Sequence, residues 1–275
     1  MCMRLFAVDA VSPQMKPLLP GVRIVAYYGN FYSPRMGVLG AYPPAQVLQK
    51  LTQAAEDWQK ADPQTPVVPA INYIAVTAQG SAGRDEKYRL RMPDSQIQKA
   101  LEMANQVHGL LFLEVQVGLS TVQTELPFLE SYLKLPNVEL ALDPEFAMSN
   151  GRHPGTVIGS MDASDVNYAA AYLAKIVQKN HLPPKVLVVH CFTEDMLTND
   201  QDIRSLPEVQ VVIVMDGFGK PALKAAVYRG IIAVQSFQYT GFKLFYKNDA
   251  VPGSHLMTPA EVLRLRPQPS YIQYQ

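Results

Sequence analysis

Short runs of apolar residues alternate along this chain with segments in which apolar residues recur every three or four positions. The runs are residues 22–30, 65–74, 110–118, 138–146, 185–192, 209–217, 231–238 and 270–275. Each run is nearly continuous in aliphatic and aromatic residues, which is typical of parallel strands covered on both faces. The pattern therefore predicts eight buried strands.

The segments between these runs carry separate helix signals. Leu48, Leu51 and Trp58 fall on one helical face after a pair of prolines. Similar spacing recurs in the segments around residues 97–104 and 166–177. Near the end of the chain, Thr-Pro-Ala-Glu (258–261) has the sequence of a capping box. Because proline cannot occupy a helix interior, the third crossover is expected to begin or restart its helix at Pro127.

Strands alternating with helices over about 255 residues match the size of a (β/α)8 barrel. We predict an α/β fold with one TIM-like barrel domain at 22–275, preceded by a leader or linker at 1–21. A doubly wound open sheet is the alternative, but no Gly-rich phosphate turn follows the first run. The region after residue 218 also fits an irregular or incomplete last unit, with 241–247 as the eighth strand.

Composition limits the classes of function. The chain has 275 residues, of which 48% are hydrophobic and 17% are charged, with 24 Lys and Arg against 24 Asp and Glu. Because these charges cancel, the chain has no net positive charge that would attract nucleic acid or an anionic membrane. No apolar run reaches the roughly 20 residues of a membrane span. No signal peptide is visible, although a trimmed exported protein would look the same.

Cofactor and metal signals are also weak in this sequence. Cys2 and Cys191 are not part of a C-x-x-C pair, so neither a disulfide framework nor a cysteine-based zinc site is indicated. We expect no cofactor. The expected partner is a small-molecule or oligosaccharide ligand, and the pattern does not indicate an oligomeric state.

Polar and ionisable residues collect at the carboxyl ends of the predicted strands. Because inward side chains alternate along a strand and barrel sites lie at these ends, we expect the residues to share one mouth. They are Tyr28, Asn30, Asn72, Glu114, Gln116, Asp143, Glu145, His190, Asp216 and Gln238. Long segments follow several of the same strands, which favours an elaborated pocket. Since burying such groups is costly in a core, the set predicts a polar ligand site.

The sharpest element is the sequence ALDPEF at 141–146. Asp143 and Glu145 lie two positions apart, so both project from one face at the end of the fourth strand. Two close carboxylates repel, which lets one stay protonated as a general acid. Cleavage of a glycosidic bond uses such a pair. In the structural alternative, Asp143 accepts loop N–H groups and Glu145 pairs with a cation such as Arg152.

A D-x-E sequence at the end of strand four resembles the chitinase-type glycoside hydrolases. That resemblance implies that Glu145 is the proton donor and that Asp143 is its partner. A longer acidic run upstream is absent, since 138–142 reads VELAL. The single tryptophan, Trp58, lies on a helix and offers no platform at a strand end.

Other segments are similar to an uncharacterised bacterial family whose members are labelled lipoproteins. The similar segments are 35–44, 84–95, 140–146, 238–249, 256–262 and 271–275. This second resemblance implies a glycosidase-like barrel that is exported or lipid-anchored, and it brings no established activity.

The first functional hypothesis is a glycoside-hydrolase-like protein that acts on or binds a carbohydrate. Glu145 is the general acid, while Asp143 or Glu114 acts as partner, base or nucleophile. The residues expected to bind substrate are Tyr28, Asn30, Asn72, Gln116, His190, Asp216 and Gln238. Because few aromatic side chains at the strand ends could stack against sugar rings, a short ligand is favoured.

Two alternatives stay open from the sequence. One is a sugar isomerase or hydrolase that holds Mg²⁺, Mn²⁺ or Zn²⁺ with Glu114, Glu145, His190 and Asp216. The other is a non-catalytic carbohydrate-binding or surface module. Schiff-base chemistry at Lys243 is disfavoured, because this lysine is expected in the loop after strand seven.

Overall fold

A computed structural model describes residues 16–232 and 238–275 of the chain. Within them, eight parallel strands form a closed barrel in which each strand pairs with the next and the last pairs with the first. They are β1 (Arg23–Gly29), β2 (Val67–Ala78), β3 (Leu110–Val115), β4 (Val138–Leu142), β5 (Lys185–Cys191), β6 (Val209–Met215), β7 (Tyr239–Leu244) and β8 (Tyr271–Tyr274). The predicted (β/α)8 barrel is confirmed.

Four helices of at least seven residues pack outside the barrel, namely α1 (Pro44–Ala61), α2 (Asp94–Gln106), α3 (Ala163–Asn180) and α4 (Pro221–Val227). The shorter helical turns are Val38–Ala41, Val122–Glu125, Leu126–Leu129, Glu130–Leu133, Pro144–Phe146, Glu194–Met196, Asp200–Asp202, Tyr228–Ile232 and Pro259–Val262. A strand at Arg89–Arg91 runs antiparallel to β2, and Met161–Asp162 pairs with Leu197–Thr198. None of the described helices is long and apolar enough to cross a bilayer.

Two local predictions about helices are confirmed. Pro127 lies in a 3-10 turn between two short α-helices, so the third crossover does restart its helix there. At the last helix, Thr258 N donates to Glu261 Oε2 at 2.8 Å and Glu261 N donates to Thr258 Oγ1 at 3.3 Å. These reciprocal bonds complete the capping box, although the helix is only one turn long.

The core has two apolar layers, one between the barrel and its helices and one inside the barrel. Trp58 of α1 is fully buried in the outer layer, where its Nε1 donates to Tyr274 Oη at 2.9 Å. Alternate residues of each strand, such as Ile24 and Ala26 of β1, fill the interior. This period of two also aims the strand-end polar residues inward.

The amino-terminal end of the barrel is closed by Leu19, which is fully buried in the interior layer. Gln210 of β6 holds both main-chain groups of Leu19, with its Oε1 3.0 Å from Leu19 N and its Nε2 2.7 Å from Leu19 O. Residues 1–15 of the expected leader lie outside the described residues. In the rest of that segment, Leu18 is partly buried and Leu19 fully buried in the interior layer, whereas Lys16, Pro17, Pro20 and Gly21 are exposed.

The seventh strand differs from the prediction. It was expected at 231–238, but β7 begins at Tyr239, residues 231–232 lie in a π-helical turn, and 233–237 are outside the described residues. The alternative with 241–247 as the last strand is also wrong, because β8 lies between β7 and β1. A Cβ on Gly241 would lie 2.7 Å from Val214 Cγ2, so glycine is required for close packing there. This glycine and the buried Lys243 made the strand resemble a loop.

Candidate functional site

A cavity of about 630 Å³ opens at the carboxyl ends of the barrel strands. Its volume falls within the roughly 300–1,000 Å³ of small-molecule sites. The polar residues in its lining include Tyr28, Gln116, Asp143, Glu145, Asp216 and Lys243. Larger apolar residues include Phe146, Phe192, Met215, Phe218, Leu223, Val227 and Phe245. The cavity therefore joins an ionisable surface to an apolar one.

Asp143 and Glu145 meet at the turn that follows β4. Pro144 starts this turn, and Glu145 N donates to Asp143 Oδ1 at 3.2 Å. Gln116 Nε2 donates to Asp143 Oδ2 at 3.1 Å, and Asp143 is buried while Glu145 is half-buried. Asp143 therefore caps the turn that carries Glu145 into the cavity.

Burial and neighbouring charge act on both carboxyl groups. Burial, followed by the nearby Glu114, holds the pKa of Asp143 well above its ordinary value. Burial, followed by Asp216, raises the pKa of Glu145. Among the described residues, no Lys, Arg or His forms an ion pair with Glu145, so the alternative pairing with Arg152 is not formed. Both carboxyl groups therefore keep a proton more readily than exposed ones.

Glu114 lies one layer below the cavity rather than in its lining. Its side chain is 0% exposed. It accepts from Tyr28 Oη at 2.8 Å and from Asn72 Nδ2 at 3.2 Å, and His190 Nε2 lies 3.1 Å from its Oε2. These contacts make Glu114 the centre of the polar floor of the barrel. A group buried in this way can position its neighbours without touching a ligand.

His190 and Lys243 hold Asp216 from two sides. His190 Nδ1 lies 3.2 Å from Asp216 Oδ2, and Lys243 Nζ lies 2.9 Å from Asp216 Oδ1. Burial alone would raise the pKa of Asp216, but Lys243 and His190 outweigh it and lower that pKa. Asp216 is therefore held as a carboxylate.

Lys243 is a site residue that the sequence reasoning missed. It lies on β7 with its side chain almost fully buried, and its Nζ sits 4.0 Å from the ring centroid of Tyr28. The apolar neighbours Phe242 and Leu244 could have revealed the strand, since only a strand would place both outward and Lys243 inward.

The metal hypothesis needs carboxylates and an imidazole that share an open position. Glu114, His190 and Asp216 do meet, but both nitrogens of His190 face carboxylates and the Lys243 ammonium lies against Asp216. The imidazole of His190 and the ammonium of Lys243 therefore occupy the positions beside these carboxylates that a metal ion would take. Across residues 16–232 and 238–275, no group of three His, Cys, Asp or Glu side chains is arranged to hold a metal.

Three of the expected substrate-binding residues make buried contacts within the protein. Asn72 is fully buried beside Glu114, and its Nδ2 also lies 3.2 Å from Tyr271 Oη. Asn30 Nδ2 donates to the Ile74 carbonyl at 3.1 Å. His190 is fully buried between Glu114 and Asp216. None of the three lines the cavity.

Gln238 is placed at the wrong end of the barrel by the sequence prediction. Because β7 starts after it, Gln238 lies at the amino end of the strand, where its side chain is exposed. Its Oε1 accepts from Val211 N at 2.9 Å. This residue therefore cannot share the site with Glu145.

The apolar part of the cavity was also missed. Phe192 directly follows β5, while Phe218 lies in the loop after β6 and Leu223 lies on α4. Phe218 and Leu223 are 62% and 56% exposed, which is unusual for such large apolar side chains. For Phe192 and Phe218, the position just after a strand end was the signal that could have found them.

No protein-family model matches the chain, and no curated protein matches it. Among solved structures, a GH18 chitinase from Pseudoalteromonas aurantia matches with 10% identity and a TM-score of 0.43, covering 92% of this chain and 93% of that chain. The YdhT protein from Bacillus subtilis matches with 11% identity and a TM-score of 0.44, covering 92% and 80%. The Bacillus subtilis mannanase BCman matches with 11% identity and a TM-score of 0.41, covering 92% and 79%. At this level of similarity, no activity transfers from these proteins.

Proposed function

We propose that this chain is a glycoside-hydrolase-like protein that acts on or binds a carbohydrate in the cavity, with Glu145 as general acid and Asp143 as its partner. One observation carries the proposal. Glu145 is a half-buried carboxyl in the cavity lining, next to the buried Asp143, and has no cation partner among the described residues. Burial of this kind favours the protonated form, which a leaving oxygen requires.

Asp216 supplies the second carboxyl group in this proposal. It lines the same cavity, and its pKa is lowered by Lys243 and His190 against the effect of burial, whereas that of Glu145 is raised. Two carboxyl groups whose pKa values are shifted in opposite directions suit separate roles, one as the acid and the other as the anion. Asp143 orients the turn that carries Glu145, and Glu114 positions Tyr28 and His190 from below.

The proposed step follows from these roles. Glu145 donates its proton to the glycosidic oxygen as the bond from that oxygen to the anomeric carbon breaks, and the bonding electrons leave with the oxygen. Positive charge develops on the sugar ring, and the Asp216 carboxylate stabilises it. Water then adds its hydroxyl group to the anomeric carbon, and its remaining proton returns to Glu145.

The test compares leaving groups in Glu145→Gln. Methyl glycosides of glucose, mannose and N-acetylglucosamine have a leaving oxygen that needs a proton, so their turnover should fall about 10²-fold or more. Dinitrophenyl glycosides of the same sugars leave as stable anions, so their turnover should fall much less. Glu194→Gln, an exposed glutamate after β5, is the matched control.

Three results would contradict the catalytic role of Glu145. Equal losses for both leaving groups would remove Glu145 from the role of acid. Ligand binding by the wild type without turnover would favour the non-catalytic alternative. About one equivalent of a divalent ion, lost in His190→Ala, would favour the metal-dependent alternative.

A further inference from the structure

We propose that the cavity takes glycosides whose leaving group is apolar, an aryl or alkyl group rather than a second sugar. This inference rests on the proposed function, because it assigns the sugar to the polar side of the cavity near Glu145. It adds the chemistry of the group on the other side of the scissile bond.

The apolar side of the cavity follows three neighbouring strands. Phe146, Phe192 and Phe218 follow the neighbouring strands β4, β5 and β6. Leu223 and Val227 extend this side on α4, one helical turn apart. Elsewhere in the lining, Arg35, Asn248 and Gln275 are polar, whereas Met36, Ile74, Ala78 and Phe245 are apolar. The two exposed large apolar side chains of the lining, Phe218 and Leu223, both lie on the side formed by the loop after β6 and by α4.

The apolar side favours an aryl or alkyl group over the hydroxyl groups of a second sugar. The side chains of Phe192, Phe218 and Leu223 offer no hydrogen-bond donor or acceptor. Hydroxyl groups brought against them would lose water without gaining a partner, which is costly. An aryl or alkyl group would instead cover surface that is now exposed to water, and its burial is favourable.

The large apolar side chains on this side are exposed, which makes them available for contact with a ligand. Phe218 and Leu223 are 62% and 56% exposed, although both line the cavity. Phe218 packs edge-on against Phe245, with ring centroids 5.9 Å apart, so its position is supported from within the site. A volume of about 630 Å³ suits one sugar with one such group better than an extended polysaccharide.

The experiment compares phenyl and methyl glycosides of glucose, mannose and N-acetylglucosamine, in both anomeric forms. Their binding is measured by calorimetry on Glu145→Gln, so that turnover does not interfere. The phenyl glycoside of the preferred sugar should bind about tenfold more tightly than its methyl counterpart. Adding Phe218→Ser and Leu223→Ser should reduce this ratio towards one. Leu90→Ser, an exposed leucine outside the cavity, is the matched control.

The possible results separate the inference from the proposed function. Equal binding of phenyl and methyl glycosides overturns the inference, while the leaving-group test of Glu145 still decides the proposed function. A phenyl preference that depends on Phe218 and Leu223, without cleavage by the wild type, supports the ligand class and contradicts the catalytic role. Phenol binding as tightly as the phenyl glycosides, or no saturable binding of any glycoside, overturns both.

Discussion

Lys243 and Asp216 form an ion pair in the cavity wall, with Nζ 2.9 Å from Oδ1. They come from the neighbouring strands β7 and β6, and both side chains are buried. His190 approaches the same carboxylate from below, at 3.2 Å. The anionic state of Asp216 therefore depends on two cations that lie on two other strands, β5 and β7.

Lys243→Met should destabilise the protein by about 3 kcal/mol at neutral pH, because a buried carboxylate loses a partner. The pKa of Asp216 is lowered in the folded state, so the stability that it contributes is present above its unfolded pKa and is lost as pH falls. In the variant, Asp216 can take up a proton in acid. The deficit in the free energy of unfolding, measured with urea, should therefore be smaller near pH 4.5 than near pH 7.

Lys175→Met, at an exposed position on α3, is the control for this experiment. Lys243→Met combined with Asp216→Asn should recover part of the lost stability. A deficit that does not change with pH, or that equals the control, would show that the ion pair does not maintain the Asp216 charge.

The imidazole of His190 should stay doubly protonated at neutral pH. Burial would lower its pKa, but the carboxylates of Asp216 and Glu114 outweigh burial and raise the pKa to about 10. The stabilisation is therefore complete below the unfolded pKa of about 6.5 and is lost as pH rises towards about 10. Between these limits, wild-type stability should fall more steeply than that of His190→Gln. Nitrogen NMR of the ring provides a direct check, and titration near its ordinary pKa would refute this expectation.

Glu125→Gln should loosen the strand at Arg89–Arg91, which pairs with the upper end of β2. Glu125 is fully buried, with Oε1 2.8 Å from Arg89 Nε and Oε2 2.7 Å from Arg91 Nε. Burial raises its pKa, but Arg91, Ser120 and Arg89 outweigh burial and lower it, so its stabilisation is lost as pH falls.

The expected loss for Glu125→Gln is about 2–3 kcal/mol, since two guanidinium groups lose a charged partner. Hydrogen exchange of the amides at 89–91 should accelerate more than that of α1. Glu102→Gln, exposed on α2, should leave exchange unchanged. Unchanged protection in Glu125→Gln would mean that main-chain pairing alone holds this strand.

Removal of residues 270–275 should abolish folding, because β8 closes the barrel. This strand pairs with β7 on one side and with β1 on the other, so its loss exposes two edges. Removal of Gln275 alone keeps all residues of β8 and should cost much less. Far-ultraviolet circular dichroism and thermal unfolding measure the difference. A stable barrel after the longer deletion would contradict this closure.

The barrel was predictable because its strands are continuous in apolar residues and alternate inward and outward side chains. The same periodicity brought Tyr28, Glu114 and Asp216 to one end of the barrel. It failed at β7, where Gly241 and Lys243 interrupt the apolar run. Both residues are explained by contacts with other strands, which local sequence does not contain.

The sequence also did not reveal how deep each polar residue lies within the barrel. Glu114 and Gln116 lie on the same face of the chain two residues apart, yet only Gln116 reaches the cavity. The apolar wall was overlooked because residues such as Phe218 are expected in a core when only residue type is considered. The expectation of an exported or lipid-anchored form depends on family resemblance alone.

Leu19 and Gln210 close the amino-terminal end of the barrel in the part of the chain that the structure describes. Above these two residues, the interior is packed with side chains such as Phe112 and Val188. Access to the cavity is therefore from the carboxyl ends of the strands, past residues such as Phe218 and Arg35. For the proposed glycosidase, a shared opening would make released fragments compete with the next substrate molecule.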